Sequence, residues 1–467
     1  MITLLGMYLF VLAAVIVVMM LRDHQMGRCD LLSVRNIVLL GFIIFQVTSG
    51  GIAMISGEYG RKPPLYPLAT GLEFTAMTTV FAILFFIAYN RGWLVQGLAS
   101  RLPPITAVPN NYGMLVIAAV ITVVAIVMRF GVGNQLVFKV TEIVGTGLSA
   151  IACGIVAWAW GRRFANPAMI VYALLIVLAN ISIVLTQAFG RRGLVAVGAA
   201  LIWGWYYSSV REQRMGRLIA KLALLSIGPF LLVAMFTAVR SGQQRDRTAW
   251  EYFELMASGA PIVEGVQKLL QGQDTAPISM WLLEAHPDEF AYRHLFTIRW
   301  FFMYPVPRDW WESKPETLAT MWPDMANVYG VASNFNVGPG IVGHAGAEGG
   351  WYALFLYAIV SGLFVRFFDE AVQRNLWSPL MVLTVGSALG EMLALTRGET
   401  GSFAAKAVIT IAGCYILFLL TNRFLISAGL ADPEEALEGA ATDEGGEAWP
   451  AEGAAALYRA GGAGLEP

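Results

Sequence analysis

A histidine and a glutamate lie four positions apart in a glycine-rich stretch, just before an apolar run of spanning length. They are His344 and Glu348. A helix brings side chains at this spacing onto one face. An imidazole titrates near neutral pH, and a carboxylate beside it can also exchange a proton. We therefore predict His344 and Glu348 as the catalytic residues, either of which could take a proton from a hydroxyl group. The alternative is a glycine-rich re-entrant turn with an incidental histidine.

Arginines near the ends of apolar runs form a second group of candidates. A guanidinium offers a fork of donors that matches a phosphate group. Two of these arginines occupy a turn between apolar runs, and the others belong to the long polar segment or its first residue. The predicted phosphate-binding residues are Arg191, Arg192, Arg240, Arg299 and Arg308. The alternative is that these arginines are interfacial, at solvated helix ends.

Aromatic, proline and basic residues are concentrated in residues 297–315. Aromatic faces stack on sugars, and cations hold phosphates. The predicted substrate-binding residues here are Lys314, Trp310, Trp311 and Tyr304. The alternative is an interfacial belt in which Trp and Tyr seat the segment on lipid headgroups.

Several kinds of site have no signature in this sequence. There is no Walker A loop, no HExxH motif, no histidine-rich metal spacing and no CxxC pair among the 3 cysteines. We therefore predict no metal, no cofactor and no nucleic-acid partner. The predicted outer loop 57–68 has Glu58 as its only acid. It lacks the acidic pair that metal-dependent transferases of lipid-phosphate sugars carry there.

These residues must be positioned by membrane helices. The chain is 57% hydrophobic and 13% charged, whereas soluble domains carry about 25% charged residues. The predicted fold is an all-α polytopic membrane protein with about 11 transmembrane helices. The predicted spans are residues 2–21, 36–55, 71–89, 114–128, 137–160, 169–189, 194–207, 218–239, 351–368, 379–395 and 404–425.

Basic residues of the short loops predict the orientation. They favour one set of alternate loops, which places the long polar segment on the outside. The predicted units are N-terminal transmembrane helices 1–239, a large extracytoplasmic loop with short helices 240–350, C-terminal transmembrane helices 351–428, and a disordered acidic cytoplasmic tail 429–467. The loop is expected to lie on the membrane or the bundle, because its aromatic residues are poorly suited to water.

Three short motifs together resemble a known family. They are Arg-Arg-Gly at 191–193, Pro-Arg-Asp-Trp-Trp at 307–311 with Lys-Pro at 314–315, and Ala-Glu-Gly-Gly at 347–350. With many spans and one large outer loop before the last few, they resemble the O-antigen (Wzy-type) polymerases. The resemblance covers about residues 180–370.

This resemblance implies a metal-independent glycosyltransferase with the C-type membrane fold, in the bacterial inner membrane. Such an enzyme takes a glycan from undecaprenyl pyrophosphate and transfers it to the terminal hydroxyl of another lipid-linked repeat unit. The arginines above would then bind the pyrophosphate, and we expect Arg191 or Arg192 to converge with Arg299 or Arg308. A chain-length regulator and a flippase are implied as protein partners.

Three alternatives stay open. O-antigen ligases share the architecture and commonly place a histidine before the closing helix, as His344 is placed here. A transporter or flippase of lipid-linked glycans would also need cations and aromatic side chains around a cavity. Transporters often have pseudo-symmetric halves and broken helices, and the sequence indicates neither. The third alternative is a scaffold subunit of an envelope assembly without chemistry of its own.

Overall fold

The computed structural model is helical, and no strand occurs in the part of the chain that it describes. The described residues are 1–60, 62–106, 111–130, 135–160, 166–185, 191–240, 250–251, 254, 265–266, 274–328 and 338–427. The side chains of Arg191, Arg192 and Arg240 are not among the described ones, and the predicted acidic tail 429–467 lies outside these ranges.

The helices of the bundle are numbered here in chain order. Up to the long polar segment they are α1 (Ile2–Gln25), α2 (Val34–Phe42), α3 (Ser49–Ser56), α4 (Pro67–Asn90), α5 (Trp93–Ala99), α6 (Asn111–Phe130), α7 (Gln135–Trp160), α8 (Pro167–Leu185), α9 (Arg191–Trp205) and α10 (Met215–Arg240). The segment and the last spans contribute α11 (Thr275–Ala285), α12 (Phe296–Met303), α13 (Leu318–Met325), α14 (Gly340–Glu348), α15 (Trp351–Arg374), α16 (Pro379–Gly386), α17 (Leu389–Ala394) and α18 (Thr400–Ser427). Two π-helical segments, Ile43–Thr48 and Tyr206–Val210, follow α2 and α9.

Ten helices of the described chain are long and apolar enough to cross a membrane. The chain is therefore a polytopic membrane protein, as its composition predicts. The tenth predicted span, residues 379–395, is not a continuous helix. It consists of α16 and α17, separated at Ser387 and Ala388.

The break between α16 and α17 coincides with a contact from α9. A Cβ atom at Gly386 would lie 2.8 Å from the Trp203 indole, so this glycine permits α9 to approach closely. Trp203 Nε1 also donates a hydrogen bond to the carbonyl oxygen of Val382 at 3.2 Å. A side chain inserted at a helical carbonyl is a recognised cause of helix interruption. The sequence interpretation that no span is broken is therefore wrong for this span.

A buried glutamine in the second span ties three parts of the bundle together. Gln46 lies in the π-helical segment Ile43–Thr48. Its Nε2 donates to the carbonyl oxygens of Pro339 at 3.2 Å and Thr396 at 2.9 Å. Its Oε1 accepts from Ser279 Oγ at 3.4 Å. The π-helical turn shifts the direction of the side chains that follow. Gln46 therefore points towards Pro339 and Thr396, which precede α14 and α18.

A polar network marks the end of the bundle opposite the long segment. The Asp369 carboxylate accepts hydrogen bonds from the backbone amides of Val34 at 2.7 Å and Arg35 at 3.0 Å, and from Tyr89 Oη at 2.9 Å. Asp369 lies about 27 Å along α15 from Trp351, given a rise of 1.5 Å per residue. We call the Asp369 end the inner end and the Trp351 end the outer end.

Residues 274–328 of the long segment pack on the outer end. Trp300 is buried and its Nε1 donates to Ser402 Oγ at 2.7 Å, at the start of α18. The carboxylate of Glu284 accepts from the backbone amides of Leu65 at 2.9 Å and Tyr66 at 3.0 Å, in the loop between α3 and α4. This part of the segment therefore belongs to the bundle and is not a separate unit.

Candidate functional site

A fully buried carboxylate at the outer end accepts hydrogen bonds from three elements. Glu348, the last residue of α14, accepts from Thr297 N at 2.6 Å and Thr297 Oγ1 at 2.7 Å. It also accepts from Tyr357 Oη on α15. His344 Nδ1 lies 3.0 Å from Glu348 Oε1. The predicted pair is thus formed on one helix face, as the spacing of four residues requires.

The imidazole of His344 lies between two carboxylates. Because an ionised carboxylate only accepts, the proton between Glu348 and His344 belongs to Nδ1 of the imidazole, whether the ring is neutral or charged. The other ring nitrogen, Nε2, lies 3.6 Å from Oε1 of Glu399. Neither this Nε2 nor this Oε1 makes a hydrogen bond to any described residue. The second oxygen of Glu399 accepts from the backbone amide of Ala319 at 3.0 Å.

Sequence reasoning missed Glu399. It lies 51 residues after Glu348 and immediately before α18. The available signal was an acidic residue at the entrance to an apolar run, on the same predicted side as the long segment. Its approach to His344 depends on the turn 396–399, which Gln46 holds through Thr396.

Glycines allow α14 to reach this position. A Cβ at Gly343 would lie 2.9 Å from Ser279 Oγ, and one at Gly346 would lie 2.8 Å from Leu283 Cδ2, both on α11. Gly349 and Gly350 then adopt φ of 154° and 61°, which side chains rarely tolerate. Their turn directs α15 back so that Tyr357 meets Glu348.

The three titratable groups, His344, Glu348 and Glu399, shift one another's pKa values. Burial disfavours the charged imidazole, but Glu399 and Glu348 outweigh it and raise the pKa of His344 above 6.5. Burial acts against ionised Glu348, yet His344, Thr297 and Tyr357 hold its pKa below 4.5. Burial raises the pKa of Glu399, and His344 opposes this only in part. The surroundings therefore stabilise the ionised form of Glu348, whereas burial disfavours the ionised form of Glu399.

An arginine that the sequence interpretation did not single out lies over this array. Burial lowers the pKa of Arg293, and the charges of Glu348 and Glu399 oppose that shift. Its guanidinium carbon lies 3.8 Å from the ring centroid of Phe296. Its Nη2 donates to the carbonyl oxygen of Glu316 at 3.0 Å, while its buried Nη1 makes no hydrogen bond within the described chain.

An exposed histidine is linked through Tyr352 to the backbone of Glu348. His294 Nδ1 lies 2.6 Å from Tyr352 Oη, which donates to the carbonyl oxygen of Glu348 at 2.9 Å. His294 and Leu295 have φ of 30° and 53°. Positive φ is costly for residues other than glycine, and such strain clusters at functional sites. The chain over the array is therefore held in a strained form.

The structure describes the side chains of two of the five predicted arginines. Arg299 is exposed, and its Nη2 donates to the carbonyl oxygens of Arg293 at 2.8 Å and His294 at 3.0 Å. Arg308 is exposed, and its Nη1 donates to the carbonyl oxygen of Lys314 at 3.2 Å. The side chains of the other predicted arginines, Arg191, Arg192 and Arg240, lie outside the described ones. The expected convergence of Arg191 or Arg192 with Arg299 or Arg308 therefore stays a prediction.

The predicted substrate-binding residues divide into two groups. Lys314 and Tyr304 are buried, and Lys314 Nζ donates to the carbonyl oxygens of Tyr304 at 3.2 Å and Val306 at 2.8 Å. Lys314 Nζ also lies 4.6 Å from the ring centroid of Trp300. Trp310 is 69% exposed, whereas Trp311 is half-buried and its Nε1 donates to Ser313 Oγ at 3.0 Å. Lys314 thus closes a loop, and Trp310 is the side chain available to a ligand.

Lys314→Met is expected to loosen this loop. It removes two charge-assisted hydrogen bonds, so we expect a loss of about 3 kcal/mol in the free energy of unfolding. Thermal unfolding of the purified protein in detergent measures the change. Arg101→Met removes an exposed cation of another loop and is the control. Equal melting temperatures for the two variants would contradict the closing role of Lys314.

The described residues contain no group of three or more His, Cys, Asp or Glu side chains arranged to hold a metal ion. What the array can do is take up a proton at Nε2 of His344 while Glu348 fixes the opposite ring nitrogen. This is the arrangement by which a carboxylate orients a histidine base. In this structure His344 has no exposed surface, so a hydroxyl group reaches Nε2 only after the chain above it moves.

Comparison with known proteins identifies no family for this chain. No family model matches the sequence, and no curated protein and no solved structure matches it.

Proposed function

We propose that the protein polymerises glycan repeat units carried on undecaprenyl pyrophosphate, by metal-independent glycosyl transfer at the outer face of the bacterial inner membrane. The observation that carries the proposal is the buried array of Glu348, His344 and Glu399 at the outer end of the bundle. Thr297 contacts this array directly. It belongs to a basic and aromatic segment, residues 293–314, which we call the cover and which bears the motif of the resemblance at 307–311.

The proposed step uses His344 as the base. The acceptor hydroxyl oxygen bonds to the anomeric carbon of the donor glycan as the bond from that carbon to the pyrophosphate oxygen breaks. The hydroxyl proton moves to His344 Nε2, and the electron pair of the broken bond leaves with the lipid pyrophosphate. Glu348 holds Nδ1–H and stabilises the imidazolium that forms. Glu399 is the positioning residue that faces Nε2.

Arginines serve the leaving group in this proposal. Pyrophosphate gains negative charge in the transition state, and preorganised guanidinium groups stabilise it. Arg299 and Arg308 are exposed on the cover, and Arg293 has a buried Nη1 without a partner in the described chain. Arg191, Arg192 and Arg240 complete the proposed set, and Trp310 is the proposed stacking surface for a sugar.

A transporter of the same lipid-linked glycan is the second candidate. The broken span of α16 and α17 favours it, because discontinuous helices line the binding sites of many transporters. The buried titratable array would then couple transport to proton movement. A ligase would use the step described above with a different acceptor.

The test uses Arg308→Ala and Arg308→Lys in cells that lack the native chain, with equal membrane levels. We expect Arg308→Ala to remove long polymer and Arg308→Lys to restore it poorly, because lysine lacks the bidentate fork. Gel analysis of polymer length measures the outcome. Arg101→Ala, which removes an exposed arginine from the loop after α5, is the matched control.

The membrane leaflet in which single repeat units accumulate distinguishes a polymerase from a transporter. A polymerase variant leaves single repeat units on the outer leaflet, whereas a transport variant leaves them on the inner leaflet. Long polymer of normal length in both Arg308 variants would contradict the role of Arg308. Units confined to the inner leaflet in cells without the chain would contradict the polymerase.

A further inference from the structure

Three basic side chains line one cavity where α10 begins. A surface cavity of about 470 Å³ is lined by Gln213, Arg214, Arg217 and Lys221. The three cations are exposed. The backbone carbonyl of Arg214 accepts from Leu218 N at 3.0 Å, so this residue already follows the helical course. Positions 214, 217 and 221 therefore share one helix face.

The charge of this cavity is not balanced by the described chain. Arg214, Arg217 and Lys221 form no ion pair with a described residue. Arg211, one turn earlier, differs because its Nε donates to Asp30 Oδ1 at 2.8 Å. Glu212 is exposed and does not line the cavity. Since like charges around one space repel one another, the cavity favours an anionic ligand.

Apolar surface continues from the same face of α10. Leu224 is 72% exposed and Ile227 is 52% exposed. Among the described residues, no side chain and no other element lies within 4 Å of a Cβ built on Gly228. The helix is a candidate membrane span from Met215 to Met235, so this surface faces lipid chains. One ligand fits both regions if it carries a phosphate at one end and acyl chains at the other.

We propose that Arg214, Arg217 and Lys221 bind the phosphate headgroup of an anionic phospholipid, whose acyl chains lie along 224–228. A basic bias of short loops explains cations at this end of the bundle in general. It does not explain three on one face of one helix around one cavity. The apolar continuation favours a lipid over a soluble phosphate. The site lies on a different element from the His344 array and is independent of the proposed glycosyl transfer.

The experiment compares the full-length protein with the triple variant Arg214→Gln, Arg217→Gln and Lys221→Gln in a neutral detergent. Native mass spectrometry gives the affinities for phosphatidylglycerol and phosphatidylcholine. Basic residues near a membrane surface attract anionic lipid headgroups, and their contributions add together. We therefore expect the wild type to prefer phosphatidylglycerol by at least about tenfold, and the triple variant to lose this preference.

The control removes the same charge elsewhere, with Arg22→Gln, Arg28→Gln and Arg101→Gln, all exposed arginines of short loops. Equal losses in the two triple variants, or no loss in either, would overturn the proposal. Inorganic phosphate is tested by thermal unfolding. If it stabilises the wild type as strongly as phosphatidylglycerol does, the lipid assignment fails. If the triple variant does not accumulate, Arg217→Gln replaces it, with a smaller loss of preference expected and no loss overturning the proposal.

Discussion

Replacing His344 by glutamine is expected to lower the rate of glycan transfer by about 10²-fold to 10⁴-fold, the range that a positioned general base contributes. Glutamine keeps a polar group of similar reach but cannot take up the hydroxyl proton. The neighbouring carboxylate of Glu348 already accepts hydrogen bonds from Thr297 and Tyr357, so we do not expect it to replace His344 as the base. Initial rates of chain extension by the purified protein in lipid vesicles measure the effect.

His286→Gln is the matched control for that experiment. His286 is buried in the same polar segment, and its Nδ1 lies 3.0 Å from the carbonyl oxygen of Leu282. Burial lowers its pKa, and its Nδ1 contacts a backbone carbonyl and not the array. Its removal should therefore leave the transfer rate close to that of the wild type. A rate for His344→Gln equal to that of His286→Gln would exclude His344 as the base.

Replacing Glu348 by alanine is expected to reduce the amount of folded protein strongly. The change removes the acceptor of Thr297 N, Thr297 Oγ1 and Tyr357 Oη. It also removes the carboxylate partner of His344 Nδ1. Breaking a buried charge pair costs about 3–5 kcal/mol, against a total stability of about 5–15 kcal/mol for a typical protein. Size-exclusion profiles and melting temperatures in detergent report the loss. Glu312→Ala, at an exposed position of the same segment, is the control.

The same pair predicts the pH dependence of stability. The lowered pKa of Glu348 contributes stability that is present above 4.5 and is lost as pH falls through that lowered value. The raised pKa of His344 contributes stability that is complete below 6.5 and is lost as pH rises through that raised value. The melting-temperature difference between the wild type and Glu348→Gln should therefore be largest between pH 4.5 and 6.5. A difference that grows steadily above that window would contradict the pairing.

Hydropathy predicted the membrane helices because each run of about 20 apolar residues has few alternatives to spanning a bilayer. It did not predict the interruption of residues 379–395, since that depends on the contact of Trp203 with Gly386 and Val382. Such a contact joins residues about 180 positions apart. The residues near 379–395 in sequence therefore do not indicate this interruption.

The sequence likewise predicted one part of the candidate site and missed another. The spacing of His344 and Glu348 follows from helix geometry, and the structure places them together. Glu399 joins them through a turn that is distant in sequence, so its spacing gave no signal. Lys314 resembles a surface cation in sequence, yet its burial is set by the carbonyl groups of Tyr304 and Val306. Burial of a charge depends on partners that only the folded loop supplies.

The most direct test of the account is chain extension by the purified protein in vesicles, with an undecaprenyl-pyrophosphate-linked oligosaccharide as the only substrate and a metal chelator present. We predict longer glycan chains, with one lipid pyrophosphate released for each repeat unit joined, and a loss of both products in His344→Gln. Movement of the unextended substrate between leaflets, without chain growth or release of lipid pyrophosphate, would contradict glycosyl transfer.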